Sequence, residues 1–289
     1  MRKARDAAPA FTLADTLAEF SDCADLTHRS YPGIQVDLVY FNHQVDQSKL
    51  HEEVMNPIIN STADELPALF RACSWFAALD ARHQDLVLAT SRAERVGNGA
   101  WIARRNAPSD YWLGVSRGLL KLAIYNESGR SCTFSGVPPG GWFGEGSVLK
   151  RELRKYDVVA IQPSLVMMVP TATFHALLSA SLPFSHFVIG QLNDRMGEFI
   201  ASIQNHRLLD ADARVAQSLA QLFNPQLYPS TDLTLAISQE ELGYLTGLSR
   251  QRVNQALQTL ADLGILALAY HQIKVLDLER LRQYGLDQI

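Results

Sequence analysis

The side chains best suited to molecular recognition lie together in one short segment near the C-terminal end. Residues 248–257 read LSRQRVNQAL, so cationic and amide side chains follow one another within about two helical turns. Arginine pairs well with guanine, and asparagine or glutamine pairs well with adenine. The segment therefore suits hydrogen bonds to DNA base edges, and its candidate readers are Arg250, Gln251, Arg252, Asn254 and Gln255.

The residues around this segment predict a winged helix-turn-helix. Ser238 with Glu241 forms a capping box for one helix, Gly247 supplies the tight turn, and Ser249 caps the next helix. The first turns of such a second helix enter the major groove. After Gly264, two apolar segments (265–268 and 273–276) flank a polar tip at 270–272 and predict a hairpin. The alternative is a small helical hairpin that serves packing alone.

A long helical stretch precedes this domain, at about 173–223. Its apolar residues step by three and four, which produces a narrow seam. The seam predicts either a dimerisation helix or a helix packed on the core of its own domain. The polar remainder favours the dimer helix. The seam residues are Ile189, Leu192, Met196, Phe199 and Ile203.

The first half of the chain is less regular. From about 61 to 170, short strands separated by glycine and proline predict a β-barrel or sandwich. Before it, residues 34–40 alternate like a strand, and 51–59 predict a short helix that Pro57 interrupts. Residues 61–64 predict a helix cap before a helical stretch at 65–73.

Composition restricts the class of protein. The chain has 289 residues, 47% hydrophobic content and a net charge of −4, and from residue 207 onward seven Lys/Arg face nine Asp/Glu. DNA binding should therefore rely on a few well-placed cations. No apolar run is long enough to span a membrane and no secretion signal is visible, so we expect a cytoplasmic protein. The cysteines, and the N-terminal histidines 28, 43 and 51, lack the spacing of a disulfide framework or metal site.

The sequence offers little support for other classes of function. It lacks the common nucleophile, phosphate-loop and metalloprotease motifs, and Glu145 with Glu152 defines no acid/base geometry, so we expect no enzyme. A nucleotide-sensing module that acts through protein partners is the alternative to a DNA-binding regulator. The polar recognition segment argues against that alternative.

Residues 211–284, and most specifically 248–257, resemble the Crp/Fnr family of bacterial transcription regulators. The resemblance implies that Arg250 and Gln251 are the main base readers, that Gln255 is a third, and that Arg252 or Asn254 contacts phosphate or further base edges. Ser249 belongs to the same interface. Gln251 replaces the glutamate of the cyclic-AMP receptor subgroup, which indicates a different operator.

A weaker resemblance covers about 65–205. Residues 114–122 are similar to a strand pair of the cyclic-nucleotide-binding jelly roll, and 139–145 to its phosphate cassette. The resemblance implies an effector site in which a glutamate holds a ribose and an arginine holds a cyclic phosphate. Its candidates are Gly144, Glu145, Gly146, Arg154 and Lys155.

This chain departs from the cassette pattern in two places. Lys155 and Tyr156 stand where a small hydroxyl residue is usual, and Phe199 and Ile200 stand where a purine-reading hydroxyl is wanted. A cyclic mononucleotide, another small effector and an empty roll therefore remain open. The cysteines are not clustered as the iron–sulfur branch requires.

Together these patterns predict an α+β chain with four parts. They are an N-terminal extension (1–60), a cyclic-nucleotide-binding-like β-jelly-roll sensor domain (61–180), a long dimerisation helix (181–209) and a C-terminal winged helix-turn-helix (210–289). The resemblance implies a homodimer that binds a palindromic operator in double-stranded DNA and contacts RNA polymerase, with no membrane partner. An effector in the roll would change how the two dimer helices cross.

Overall fold

The computed structural model describes residues 26–31, 36–41, 65–125, 131–229, 232–269 and 272–288. It divides into two compact units, Met1–Ile59 and Asn60–Ile289. In the first unit, β1 (Leu26–Tyr31) pairs antiparallel with β2 (Val36–Phe41). The strand predicted at 34–40 thus corresponds largely to β2. The short helix expected at 51–59 and the cap at 61–64 lie outside the described residues, as do Cys23, His43 and His51.

The second unit begins with three short helices. These are α1 (Leu66–Arg71), α2 (Ser74–Ala77) and α3 (Ala81–Thr90). The single helical stretch predicted at 65–73 ends earlier than expected, because extended backbone at Cys73 separates α1 from α2. The side chain of Asp80 accepts a hydrogen bond from the backbone N–H of His83 and so caps α3.

Two four-stranded antiparallel sheets follow and form the predicted roll. One has the order β3-β10-β5-β8 and the other β4-β9-β6-β7. The strands are β3 (Arg92–Val96), β4 (Trp101–Ala103), β5 (Tyr111–Arg117), β6 (Leu120–Tyr125), β7 (Ser131–Val137), β8 (Trp142–Phe143), β9 (Asp157–Ala160) and β10 (Ser164–Pro170). The short helix α4 (Glu145–Lys150) follows β8 directly.

Side-chain alternation gives the first sheet two apolar faces. Leu113, Val115 and Val166 point into the roll, whereas Trp112, Met167 and Trp142 belong to a second core on the outer face, with Trp75 and Phe184 from the covering helices. Trp142 lies flat against β5 where Gly114 has no side chain, and a Cβ there would come within 2.7 Å of its ring. The outer face is therefore a packed helix-on-sheet layer.

Helices dominate the remainder of the chain. They are α5 (Thr171–Ala180), the long α6 (Leu182–Leu208) and α7 (Ala211–Gln221). Ser181 caps α6, and Asp210 caps α7 by accepting from the N–H of Ala213, so the break predicted at Asp210 is present. No single helix among the described residues is apolar over the length of a membrane span; only α5 and α6 taken together, across a 112° bend, meet that criterion.

The C-terminal part has the winged helix-turn-helix arrangement. It contains β11 (Thr234–Leu235), α8 (Gln239–Thr246), α9 (Arg250–Asp262), β12 (Leu266–Ala269), β13 (Gln272–Val275) and α10 (Leu278–Gln283), with a final 3₁₀ turn at Leu286–Gln288. The wing strands β12 and β13 pair antiparallel, and residues 270–271 at their tip lie outside the described residues. The predicted α+β class and the order of roll, long helix and helix-turn-helix are confirmed.

Candidate nucleic-acid interface and effector site

The turn between α8 and α9 is fixed by local hydrogen bonds and one glycine. Ser238 Oγ accepts from the N–H of Glu241 at 3.1 Å, and Ser249 Oγ accepts from the N–H of Arg252 at 3.3 Å. Gly247 ends α8 with φ of 67°, a left-handed conformation that glycine adopts without steric cost. The sequence therefore determines the start of α9 and the side chains that its first turns present.

The exposed face of α9 carries most of the predicted readers. Arg250, Gln251, Asn254 and Gln255 are exposed, whereas Val253, Ala256, Leu257 and Leu260 are buried. Asn254 is the only one of these four whose side chain is hydrogen-bonded to another described residue: its Oδ1 accepts from Gln239 Nε2 at 2.7 Å. Gln239, at the start of α8, was not among the predicted site residues; its polar side chain at N1 was the only sequence signal.

Arg252 has a different environment from the other polar residues of α9. Its Nη1 lies 2.6 Å from Asp212 Oδ1 on α7, in an ion pair without hydrogen-bond geometry. The pair connects the recognition helix to α7. The predicted contact of Arg252 with phosphate or a base edge stays a prediction; in this structure its guanidinium is paired with Asp212.

Glu241 does not complete the predicted capping box. Its carboxylate reaches Lys121 on β6, with both Nζ–Oε distances at 2.8 Å, and Lys121 Nζ also lies 5.2 Å from the centre of the Tyr244 ring. Only the Ser238 half of the box is present, because the Glu241 side chain has a stronger, charged partner. This ion pair connects the roll directly to the helix-turn-helix.

The cassette residues meet α6 through a buried ion pair. Glu145, at the start of α4, is almost fully buried, and its Oε1 accepts from Arg195 Nε of α6 at 3.1 Å. Arg195 Nη2 also donates to Trp142 O at 2.8 Å. Glu145 was a predicted site residue and Arg195 was not. Nothing in the spacing along the chain indicates this partner, which lies 50 residues away.

The side chains of Arg154 and Lys155 have different surroundings, although the two residues are neighbours in the sequence. Arg154 is buried, and its Nη2 donates to Tyr111 O at 2.7 Å. Lys155 is exposed and lies 3.1 Å from Glu152 at the surface. The structure thus brings Arg154 near Gly144, whose Cβ would lie 3.0 Å from Arg154 Nη1, while Lys155 does not join the cassette. Gly146 lies in α4 with open space around it.

Tyr156 occupies the centre of the cassette. Burial of its hydroxyl, with the adjacent charge of Glu145, raises the pKa of Tyr156 to about 12, against the opposing effects of Arg195, Arg154 and the N–H of Gly144. The ring edge reaches the surface, and the ring packs on Phe134 with centroids 5.4 Å apart. A phenol therefore lies among the groups that would otherwise hold a ribose and a cyclic phosphate.

A second carboxylate completes this buried network. Glu198 Oε2 lies 3.9 Å from Arg195 Nη1 and accepts from Tyr228 Oη at 3.2 Å. Burial raises the pKa of Glu198 to about 7, although Arg195 and Tyr228 act in the opposite direction. Among the described residues, Glu145 Oε2 and Arg195 Nη1 have no hydrogen-bond partner. The middle of α6 is therefore joined to the roll by charged groups removed from water.

The residues expected in the dimer seam differ in burial. Ile189, Met196 and Ile203 are more than half exposed, and so is Ile200, which was not predicted. Phe199 is also exposed, with its ring 6.3 Å from that of Phe134, whereas Leu192 packs partly against the outer core of the roll. The exposed apolar face of α6 therefore comprises Ile189, Met196, Phe199, Ile200 and Ile203, and its role in dimerisation stays a prediction.

Comparison with known proteins gives matches to both halves. The sequence model of the cyclic nucleotide-binding domain family matches residues 93–181. The sequence model of the Crp-like helix-turn-helix domain family matches residues 213–284. The cAMP-activated global transcriptional regulator CRP of Pasteurella multocida is 24% identical over 149 residues, which cover 50% of this chain and 71% of that protein. The cyclic AMP receptor protein of Thermus thermophilus is 27% identical over 161 residues, which cover 56% and 73%.

Solved structures agree in fold. FixK2 from Bradyrhizobium japonicum superposes with a TM-score of 0.58 at 19% sequence identity, covering 67% of this chain and 96% of that one. At this identity the likeness concerns the fold alone. It includes the order of sheets, long helix and helix-turn-helix described above.

Proposed function

Because this chain is a DNA-binding transcription regulator of the Crp/Fnr type, we propose that it binds a palindromic operator as a homodimer and reads it with Arg250, Gln251 and Gln255. The observation that carries this proposal is the exposed polar face of α9, held by the cap at Ser249 and the glycine turn. Two copies related by a two-fold axis would present two such helices about 34 Å apart, or one turn of DNA.

The dimer proposal is supported by the uncovered apolar face of α6. Monomeric proteins rarely expose a contiguous row of large aliphatic side chains, and a second copy of the same face would remove it from water. Contact with RNA polymerase and a cytoplasmic location are further parts of the proposal. They follow from the kind of regulator and not from any residue described above.

We also propose that the roll of this protein does not take a cyclic nucleotide. The residues do not fit one, because Glu145 and Arg154 are bonded within the protein and the phenol of Tyr156 is close to both. The roll then acts as a rigid connector between the outer helices and α6. An effector, if it acts through this domain, must bind elsewhere.

Binding-site selection tests the DNA proposal directly. Arg250→Ala should lose about 1–3 kcal/mol of operator affinity and relax the preference at one position of each half-site. Arg252→Ala should lower affinity without changing the selected motif, because that side chain orients α9 through Asp212.

Gln258→Ala is the matched control, since Gln258 is exposed on the same helix and bonds Asp262 near its end. It should leave both affinity and motif unchanged. An Arg250→Ala variant that selects the wild-type motif at every position would refute the assignment of α9 as the reading helix.

A further inference from the structure

A cavity of about 640 Å³ lies outside the roll, on the helix-covered face of the sheet β3-β10-β5-β8. Its walls are Trp142 and Met167 from that sheet, Trp75 from α2, Phe187 and Gln191 from α6, and Leu227 from the segment after α7. Glu145, Arg154 and Tyr156 do not line it. The cavity thus differs from the predicted effector site at those residues, although Pro139, Gly140 and Trp142 of the cassette segment belong to its lining.

Two polar side chains are buried in the wall of the cavity. Gln191 and Trp75 are both more than nine-tenths buried, and among the described residues Gln191 Oε1 and Trp75 Nε1 have no hydrogen-bond partner. Neither atom has accessible surface, so a ligand in the cavity would reach them only if these side chains turned. Gln191 Nε2 donates to Gln226 O at 3.1 Å, which joins α6 to the segment after α7.

The charge of the walls restricts the chemistry of that molecule. Asp194 is the one charged residue among the described residues of the lining. The other walls are aromatic, aliphatic or neutral, and burial raises the pKa of Cys73 to about 11, so its thiol stays neutral and weakly reactive. With no cation present, a phosphate or carboxylate would be desolvated without compensation.

We propose that this cavity is the effector site, and that it takes a neutral or cationic small molecule with a ring-containing apolar body. The inference rests on the proposed function and adds the regulation of it. The ring would pack against Trp75, Trp142 and Phe187, and a cationic group would lie near Asp194.

The position of the cavity explains how such a ligand acts on DNA binding. The ligand would contact at once the sheet, the α6 face that lies beside the dimer face, and the segment 225–229 that leads to the wing domain. The Gln191–Gln226 bond already joins two of these walls. A ligand that holds the three walls in one arrangement shifts the equilibrium between arrangements of α6 and the helix-turn-helix.

Three probes of one size test the site on the full chain. Naphthalenemethanol is neutral, naphthylmethylamine is cationic and naphthoate is anionic. Calorimetry should detect binding of the first two, and naphthoate should bind at least about tenfold more weakly. Equal binding of naphthoate would overturn the proposed ligand class.

Gly190 provides a matched pair of variants. It lines the cavity on α6, and a Cβ there would meet no atom within 4 Å. Gly190→Leu should narrow the cavity beside α6 and weaken binding of both probes, whereas Gly190→Ala should leave binding nearly unchanged. Asp194→Asn should weaken the amine about tenfold and leave the alcohol unchanged. Probe binding that neither Gly190→Leu nor Asp194→Asn changes would refute the site.

Gel shifts on the same proteins separate the two proposals. A chain that binds operator but no probe refutes the effector site alone. A chain that binds the probes but no operator refutes the proposed function alone. The site predicts that naphthalenemethanol changes operator affinity in wild type and in Gly190→Ala, but not in Gly190→Leu.

Discussion

Tyr156 is the residue on which the proposed loss of cyclic-nucleotide binding depends. Its phenol is close to Glu145, Arg195 and Arg154, and Gly144 N–H is bonded to it. The Glu145–Arg195 pair and the Arg154–Tyr111 bond are present beside it. We propose that the ring closes the space in which a cyclic phosphate would lie.

Removal of the Tyr156 ring should allow the roll to bind a cyclic nucleotide. We expect no change in melting temperature when cyclic AMP, cyclic GMP or cyclic di-GMP is added to the wild-type chain. Tyr156→Ala should cost about 3–5 kcal/mol of stability and should then be stabilised by cyclic AMP.

Tyr156→Phe is the control for closure of the cassette by the Tyr156 ring, because it removes only the hydroxyl and keeps the ring. It should remain unresponsive. A Tyr156→Ala protein that folds but gains no response to any cyclic nucleotide would mean that the ring is not what closes the cassette.

Glu198 should make stability depend on pH near neutrality. Its pKa is raised from 4.5 to about 7, so the folded state holds this proton more tightly than the unfolded state. The resulting stabilisation is complete below the unfolded pKa and is lost as pH rises through about 7, by up to about 3 kcal/mol. Glu198→Gln should remove this part of the dependence.

Thermal unfolding from about pH 5 to about pH 8 measures the effect, with Glu152→Gln as a control at a more exposed carboxylate. The control curve should follow wild type. If the Glu198→Gln curve also followed it, Glu198 would not carry the dependence.

At the scale of single residues, the sequence predicted what depends on near neighbours. The caps at Ser238 and Ser249 and the turn at Gly247 are local, and all three are present. Arg195, Tyr156 and the Arg252–Asp212 pair were missed, because they depend on how α6, β9 and α7 pack. Gln251 and Gln255 are exposed as expected, but whether they read bases stays a prediction.

At the scale of elements, α6 has three faces with different surroundings. One is buried against the roll through Phe184, Val188 and Arg195, a second lines the cavity, and the third is apolar and uncovered. The step of three and four residues predicted the helix correctly, but it did not predict that Leu192 packs partly against the core of its own chain. A repeat of that kind does not specify which of two apolar stripes faces the chain's own core.

The uncovered face provides the test of dimerisation. Ile200→Glu places one charge per subunit in the proposed apolar interface, where burial of an unpaired charge is strongly unfavourable. Sedimentation should then detect folded monomer at micromolar concentration. Leu153→Glu, at an exposed leucine of the roll, should leave the dimer intact; a dimer that survives both changes would place the interface elsewhere.

At the scale of the whole second unit, the roll and the helix-turn-helix are in direct contact. Leu119 of the roll belongs to the core of the wing domain, and Gly136 lies against Leu222. The Lys121–Glu241 pair adds a charged contact with Lys121 almost fully buried. These contacts restrain the orientation of the DNA-binding domain relative to the roll in this structure.

A double-mutant cycle measures that contact. Lys121→Met and Glu241→Gln should each destabilise the chain, and the double variant should lose less than their sum, with a coupling energy of about 1–3 kcal/mol. The surface pair of Lys155 and Glu152 should couple by less than about 1 kcal/mol. Equal coupling in the two cycles would mean that the buried contact does not restrain the domains.

The position of Tyr156 also has an evolutionary consequence. Because Tyr156 packs with the core of the roll and the proposed readers lie on α9, mutation of Tyr156 would open the roll without altering which DNA sequence is recognised. The response to an effector and the recognised DNA sequence can therefore change independently of each other during evolution. A regulator of this design can lose an ancestral signal in one codon change while its set of controlled genes is inherited intact.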